Sequence, residues 1–337
     1  MFSPNYTISP QLLSTLKRIA VLVHDLNKRS PEETIKMQLL NEARASSAHA
    51  STTIEGNPLA LTIVKQLLKR TPEQIGQSER EVLNYNKVLS NLNKKKLSEP
   101  LLLDIHSGLM QGLLPDEKIG RYRLEPVFVH NPKTGQVIFL PPDHQDVTAR
   151  MQDLFAFIRQ NQELDPVVLA GLFHKQFVLI HPFVDGNGRS VRLASTVLLR
   201  DLGVNLFNLL SFENYYNQNV RRYFSLVGKV GNYYELEPDF TPWLEYFAEG
   251  IFAELMRLDK ILAVEQNKQL RLKSHHLLIL EYLEKKGFIT DKDYSDLVDR
   301  AKATRSLDFR QLVTEGLITR MGKGPATYYV LADDKNA

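Results

Sequence analysis

The chain of 337 residues has no cysteine. That excludes disulfides and cysteine-bound metal sites, and it fits a reducing compartment. It also lacks a surplus of either charge. There are 42 Lys and Arg against 39 Asp and Glu, a net of +3, too balanced to announce a nucleic-acid or membrane partner. No run of about 18 apolar residues occurs, so no membrane span is expected. Residues 1–30 have no uninterrupted apolar core with a cleavage site: Ile19 to Val23 is short and flanked by Lys17-Arg18 and His24-Asp25. The cytoplasm is the expected location. Internal repeats and low-complexity segments are absent too. What is there is an ordinary globular composition, 43% hydrophobic and 24% charged, in a chain long enough for two domains.

One run concentrates the chemistry: His181-Pro182-Phe183-Val184-Asp185-Gly186-Asn187-Gly188-Arg189-Ser190-Val191-Arg192. Pro182 has no amide hydrogen and disfavours helix at the residue before it, so the apolar helix arriving from Asp165 is expected to stop at His181. A second apolar run, Val191 to Leu202, reads as a helix that starts near Gly188 and ends before Gly203. Gly186-Asn187-Gly188 then sits at a helix N-terminus, where free N–H groups and the positive dipole end favour an anion. The glycines let that backbone approach a phosphate closely. Arg189 and Arg192 lie three apart, on neighbouring parts of one helical face, and both can fork onto phosphate oxygens. Asp185 is a hard oxygen ligand placed to hold Mg²⁺ on those phosphates. His181 titrates near neutrality and is the natural general base. Any one of these elements alone is commonplace; their conjunction in one short run is not.

The run resembles the signature of the Fic family, His-x-Phe-x-Asp/Glu-Gly-Asn-Gly-Arg-x-x-Arg, at every specified position. The resemblance implies a mainly α fold, a Fic-type helical bundle with a β-hairpin flap. It implies transfer of AMP from ATP onto a Ser, Thr or Tyr hydroxyl of a target protein, or of the chain itself. His181 would deprotonate the hydroxyl and Asp185 would hold Mg²⁺. Gly186, Asn187, Gly188, Arg189 and Ser190 would surround the α/β phosphates, and Arg192 would receive the γ-phosphate. Relatives that act as kinases carry Lys where Gly188 stands here, so that branch is not expected.

Further matches lie outside the signature. Ser30-Pro31-Glu32-Glu33 reads as a capped helix start, with the helix running to Ile54 and Gly56 as its stop. At its end, Ser51-Thr52-Thr53-Ile54-Glu55-Gly56 matches the Fic inhibitory pattern Ser/Thr-x-x-x-Glu-Gly/Asn, with Ser51 and Glu55 one turn apart on one face. The resemblance implies that Glu55 pairs with Arg192 and occupies the arginine meant for the γ-phosphate. The plainer alternative is a helix end with a solvated Glu55. Helical spacing is also read over 9–27, 60–70, 72–92, 99–113, 144–161 and 211–227, with a solvated lysine-rich loop at 91–96. His106 and His174 fall on helices and read as structural.

Residues 120–142 change character. Gly120-Arg121-Tyr122-Arg123 leads into Pro126–His130, a turn at 131–135, and Val137–Pro142, which reads as a hairpin. Its position resembles the Fic flap, which adds a target segment as a strand, here through Val127, Phe128, Val129 and His130. Tyr223 and Phe224 resemble the family's aromatic pair near the adenine, with Phe in place of the second Tyr; Asn232 is a further candidate. Trp243 and Phe247 begin a helix expected to close the domain around Asp259.

From about Leu272 the pattern restarts as helices at His276–Lys286, Asp293–Val298 and Thr304–Glu315, then strands at Leu317–Arg320 and Thr327–Leu331. Three helices and a β-wing resemble a winged helix-turn-helix. Residues 268–337 hold 13 Lys and Arg against 10 Asp and Glu, a mild excess for a DNA binder. Lys302, Arg305 and Arg310 would be the contacts if DNA binds; protein docking or dimerisation is the other use. The expected division is an N-terminal helical region at 1–98, a Fic core at 99–265 and the winged-helix domain at 268–337. The leading expectation is an autoinhibited protein adenylyltransferase using ATP and Mg²⁺. A nucleotide-sensing DNA-binding regulator and an enzyme that removes AMP are the alternatives.

Overall fold

The computed structural model describes residues 2–29, 31, 33–92, 95–130, 134–204, 208–228 and 230–332, with backbone only for 33–35, 265–271 and 325. The expected cap at Ser30–Glu33, the hairpin tip at 131–133 and part of the 91–96 loop lie outside the described residues. The chain forms two compact units, Met1–Lys260 and Ile261–Ala337.

The first unit is built around two helices, α7 (Pro166–Ile180) and α8 (Asn187–Asp201). Asp165 starts α7 by accepting hydrogen bonds from the Val167 and Val168 amides, with Pro166 in the first turn. Almost every residue of α7 and α8 is buried, Lys175, Gln176 and Arg192 included. Helices apolar on every face must be wrapped by others. The wrapping comes from α1 (Pro10–Asn27), α2 (Glu33–Ile54), α3 (Leu61–Lys69), α4 (Gln77–Ser90), α5 (Glu99–Met110), α6 (His144–Gln160) and α11 (Thr241–Arg271). Gly171 lets α11 approach α7 closely: a Cβ there would lie 2.7 Å from Leu244, and the Trp243 indole donates to the Gly171 carbonyl at 2.8 Å. The fold is mainly α, as expected.

Several elements differ from the sequence reading. The 211–227 stretch is two helices, α9 (Glu213–Gln218) and α10 (Val220–Val227). Asn219 separates them in a non-helical conformation, its side chain capping α10 through the Arg222 amide. The 72–92 pattern becomes helical only at Gln77, with Gly76 as the N-cap. The helix carrying Trp243 does not stop at Asp259 but runs to Arg271, since no Gly or Pro interrupts it after Gly250. The hairpin is present as β1 (Val129–His130) and β2 (Val137–Leu140), antiparallel with an irregular register. It gains an unforeseen third strand, β3 (Gly231–Asn232), which pairs parallel to β2 through Phe139 and Leu140. The order is β1-β2-β3, so β2 is covered on both edges.

The second unit holds α12 (Ser274–Lys286), α13 (Asp291–Leu297), α14 (Lys302–Thr314) and an antiparallel pair, β4 (Ile318–Met321) with β5 (Tyr328–Leu331). Its core is Ile279, Leu283, Ile289, Tyr294, Phe309, Leu312 and Ile318. Lys302 and Arg310 are exposed on α14. Arg305 is not free for DNA in this arrangement: it grips Asp291 with two nitrogens, at 2.8 and 2.9 Å, and the Arg300 carbonyl. Asp308 is gripped in turn by Arg300 and by the Tyr294 hydroxyl at 2.9 Å, with His275 and His276 at 3.3 and 3.4 Å.

Candidate functional site

His181 ends α7 in the left-handed conformation, φ 51° and ψ 59°, as a non-glycine C-cap. Such a conformation costs about 1–3 kcal/mol and persists where the surroundings impose it. Its Nδ1 lies 3.3 Å from the Val178 carbonyl, which fixes the proton on Nδ1 and leaves the lone pair on Nε2. Burial lowers its pKa below the ordinary value; Arg123 lowers it further, while Val178, Glu55 and Asp185 oppose the shift. The ring is therefore neutral at physiological pH.

The loop after it is closed by Asn187, whose side chain accepts from the Phe183 amide and donates to the Phe183 carbonyl, both at 2.9 Å. The side-chain amide of Asn187 is spent inside the loop, so its backbone N–H is what can face a ligand. Gly186 has φ +77°, and a Cβ there would lie 2.7 Å from the Met110 sulfur. Asp185 projects outward with 58% of its side chain exposed, its Oδ1 accepting from the Gly186 amide and, at 3.3 Å, from Arg189. Arg189 is buried between Asp185 and, at 3.9 Å, Glu81, and its Nε has no partner. The buried Ser190 hydroxyl is also unpartnered.

Arg192 is 0% exposed. It donates Nε to the Ser51 hydroxyl at 2.7 Å and Nη2 to the Ser51 carbonyl at 2.8 Å and to Glu55 Oε1 at 2.7 Å. Burial alone would lower the guanidinium pKa; Glu55, then Tyr223 and Tyr85, outweigh it and hold the charge firmly. Glu55 is thus the partner of Arg192, and the solvated alternative is set aside. Beneath this pair runs a buried polar network. Tyr85 donates to Glu213 at 2.9 Å and sits beside Ser47 and Ser51, while the second Glu213 oxygen is unpartnered. Burial pushes the Glu213 carboxyl up to about 7.

The two structural histidines prove closely tied to the signature. His106 accepts from the Gly120 amide on Nδ1 at 3.0 Å, so Nε2 donates to the Asp185 carbonyl at 3.1 Å, and the ring stacks on Phe183 at 3.8 Å. His174 bridges the Ser195 and Tyr223 hydroxyls, 3.0 Å from each.

The expected aromatic pair is split. Tyr223 is 1% exposed, its hydroxyl engaged by His174 and Arg192, whereas Phe224 is 47% exposed. Asn232 lies in β3 and is half-buried. In the hairpin, Phe128 and His130 are exposed and Val127 and Val129 half-buried. Arg123, unassigned by the sequence, is buried against the carbonyls of Glu125, Pro142, Ile180 and His181. Its only sequence signal was its place three residues before the β-rich run.

Residues 96–199 match the model of a protein family described as Fic/DOC. This segment is a Fic domain. The Fic domain's curated relatives include protein adenylyltransferase Fic of Nematostella vectensis, 30% identical over 175 residues, and protein adenylyltransferase fic-1 of Caenorhabditis elegans, 28% identical over 196 residues. Those matches take in 49% and 54% of this chain but 39% and 37% of the relatives, so the chain spans well under half their length. Among solved structures, a Fic family protein from Desulfovibrio desulfuricans aligns over 100% of both chains with TM-score 0.72 and 23% identity. Fic-1 of C. elegans aligns over 75% of this chain and 73% of its own, with TM-score 0.59 and 19% identity. Those two share the fold.

Proposed function

We propose that the chain is a protein adenylyltransferase held in an inhibited state by Glu55. The observation that carries this reading is the Glu55 carboxylate seated on Arg192, beside the loop best suited to a triphosphate. ATP would lie over the free amides at the start of α8, with Arg189 on the α/β phosphates and Arg192 freed for the γ-phosphate once Glu55 leaves. His181 Nε2 takes the proton of the target hydroxyl while the hydroxyl oxygen bonds to the α-phosphorus. The bond from that phosphorus to the bridging oxygen breaks, and pyrophosphate departs. The Asn187 and Gly188 amides and Arg189 stabilise the growing charge, commonly a larger contribution than the base, while the Gly186 amide holds Asp185. Asp185 fits Mg²⁺: an exposed carboxylate beside a phosphate cradle suits an ion that takes one or two carboxylates with substrate phosphates and water. When bound, that ion would neutralise phosphate charge.

The target hydroxyl would belong to a protein segment laid along the hairpin at Val127–His130. Phe224 remains exposed for an adenine to stack on, and Asn232 is near in sequence. Residues 268–337 are proposed as a winged helix-turn-helix that docks a protein, a second copy or DNA. The engagement of Arg305 with Asp291 speaks against DNA sensing as the main activity. The cytoplasm is the proposed location; no helix among the described residues is long and apolar enough to cross a membrane. His181→Ala is expected to abolish transfer of labelled AMP while ATP binding, followed by calorimetry, persists. Transfer at the wild-type rate would overturn the assignment.

A further inference from the structure

Arg123 takes no part in the reaction proposed for His181, yet it is a guanidinium only 3% exposed. Its described side-chain hydrogen bonds all go to main-chain carbonyls. Nε donates to His181 at 2.8 Å, Nη1 to Glu125 at 3.2 Å, and Nη2 to Pro142 and, at 3.5 Å, to Ile180. Its own amide donates to the Pro182 carbonyl at 2.9 Å. Glu125 and Pro142 are the two feet of the hairpin. Ile180, His181 and Pro182 are the end of α7 and the turn that throws His181 into the left-handed region. One residue therefore grips both ends of the hairpin and three consecutive peptides around the base.

The fit is chemical as well as geometric. A rigid planar fork can reach carbonyls in several directions at once, which a lysine ammonium on a flexible stem cannot. Charge-assisted bonds of this kind are about twice as strong as neutral ones. The strained backbone at His181 needs something to impose it, and these contacts converge on it. A shift of the hairpin feet is transmitted through the guanidinium to the peptide that carries the imidazole.

We propose that Arg123 is a positioning residue that couples the hairpin to the orientation of His181, so that a protein segment docking along the hairpin is registered at the base. This rests on reading His181 as the base and the hairpin as the docking element. Its consequence is that the chain transfers AMP slowly to small hydroxyl compounds that bypass the hairpin, and faster to extended segments that engage it.

The test compares Arg123→Met with Arg123→Lys in the full chain. The charged groups facing His181 are Arg123, Glu55 and Asp185, and only the first is altered. In Arg123→Met, the His181 titration followed by NMR is expected to move up toward the ordinary imidazole value. Hydrogen exchange over 124–130 and 134–142 should quicken, and kcat should fall by about 10²-fold, the cost of a small misplacement, while ATP affinity stays unchanged. Arg123→Lys keeps the positive charge and should leave the His181 titration in place, yet still loosen the hairpin and lower kcat. The titration and exchange need no turnover. If wild type transfers no AMP but both readouts move, the functional reading fails and the coupling stands. If a folded Arg123→Met leaves titration, exchange and kcat at wild-type values, the coupling is overturned. Should Arg123→Met fail to fold, unchanged exchange and kcat in Arg123→Lys overturn it equally.

Discussion

The Glu55 carboxylate fills the space that a side chain at Gly188 would occupy: a Cβ added at Gly188 overlaps Glu55 Oε1 and comes within 3.0 Å of Arg192 Nη1. The backbone of Gly188 is not in the left-handed region, so it is room for Glu55, rather than conformational freedom, that favours glycine here. Glu55→Gly is expected to raise AMP transfer, self-modification included, by tenfold or more, a change of about 1.4 kcal/mol in the population of the open state. Gly188→Ala should raise it by a smaller factor. Combining the two should add nothing, because both act through one contact. Labelled-ATP incorporation measures this, and additive gains would argue against a shared route.

With His181 as the proposed base, the acid limb of the proposed transfer should report on that residue. Burial and then Arg123 hold its folded pKa below 6.5, so the ring is neutral, and competent as a base, throughout the neutral range. Activity is expected to stay level as pH falls through 6.5 and to drop only below it. A kcat/KM profile against pH tests this; a limb above the ordinary value would contradict it.

His106 is expected to support stability in a pH-dependent way. Burial pulls its pKa from 6.5 down to about 4, and protonating Nδ1 would break the Gly120 contact. A depressed imidazole contributes fully above 6.5, and that contribution is lost as pH falls toward about 4, on the order of 3 kcal/mol in all. His106→Phe keeps the stack on Phe183 and loses both polar contacts. It should cost about 1–3 kcal/mol at neutral pH. Urea denaturation should show the gap to wild type narrowing in acid.

Glu213 has the opposite sign. Burial raises its carboxyl from 4.5 to about 7, so the stabilising protonated form is complete below 4.5 and lost as pH rises through about 7. Glu213→Gln keeps an acceptor for Tyr85 and cannot ionise. Above pH 7 it is expected to be more stable than wild type by on the order of 2 kcal/mol, with little difference in mild acid. Thermal melts across that range decide it.

The sequence made much of this legible because local rules and the fold agree. Pro182 stopping α7 at His181, Asp165-Pro166 opening it, and Ser51 and Glu55 sharing a helical face all follow from a few neighbouring residues. What escaped was set by distant parts of the chain. Nothing local shows the Asn187 side chain turning back onto Phe183 to close the loop. Tyr223 looked like a stacking platform, but the burial of α7 and α8 around it consumes its hydroxyl. Arg123 carried no motif, since its partners are carbonyls, which every residue has. The third strand rests on two residues at 231–232, too short to leave a periodic trace.

That third strand has a consequence for recognition. With β3 along one side of β2 and β1 along the other, the outer side of Val129–His130 is the margin that the hairpin itself leaves open. An incoming chain can share only about two residues' worth of ladder there, roughly 7 Å of contact. So short a handshake reads main chain and little else, so the proposed transferase would be tolerant of the docked segment's sequence and leave discrimination to surfaces farther from the hydroxyl it modifies.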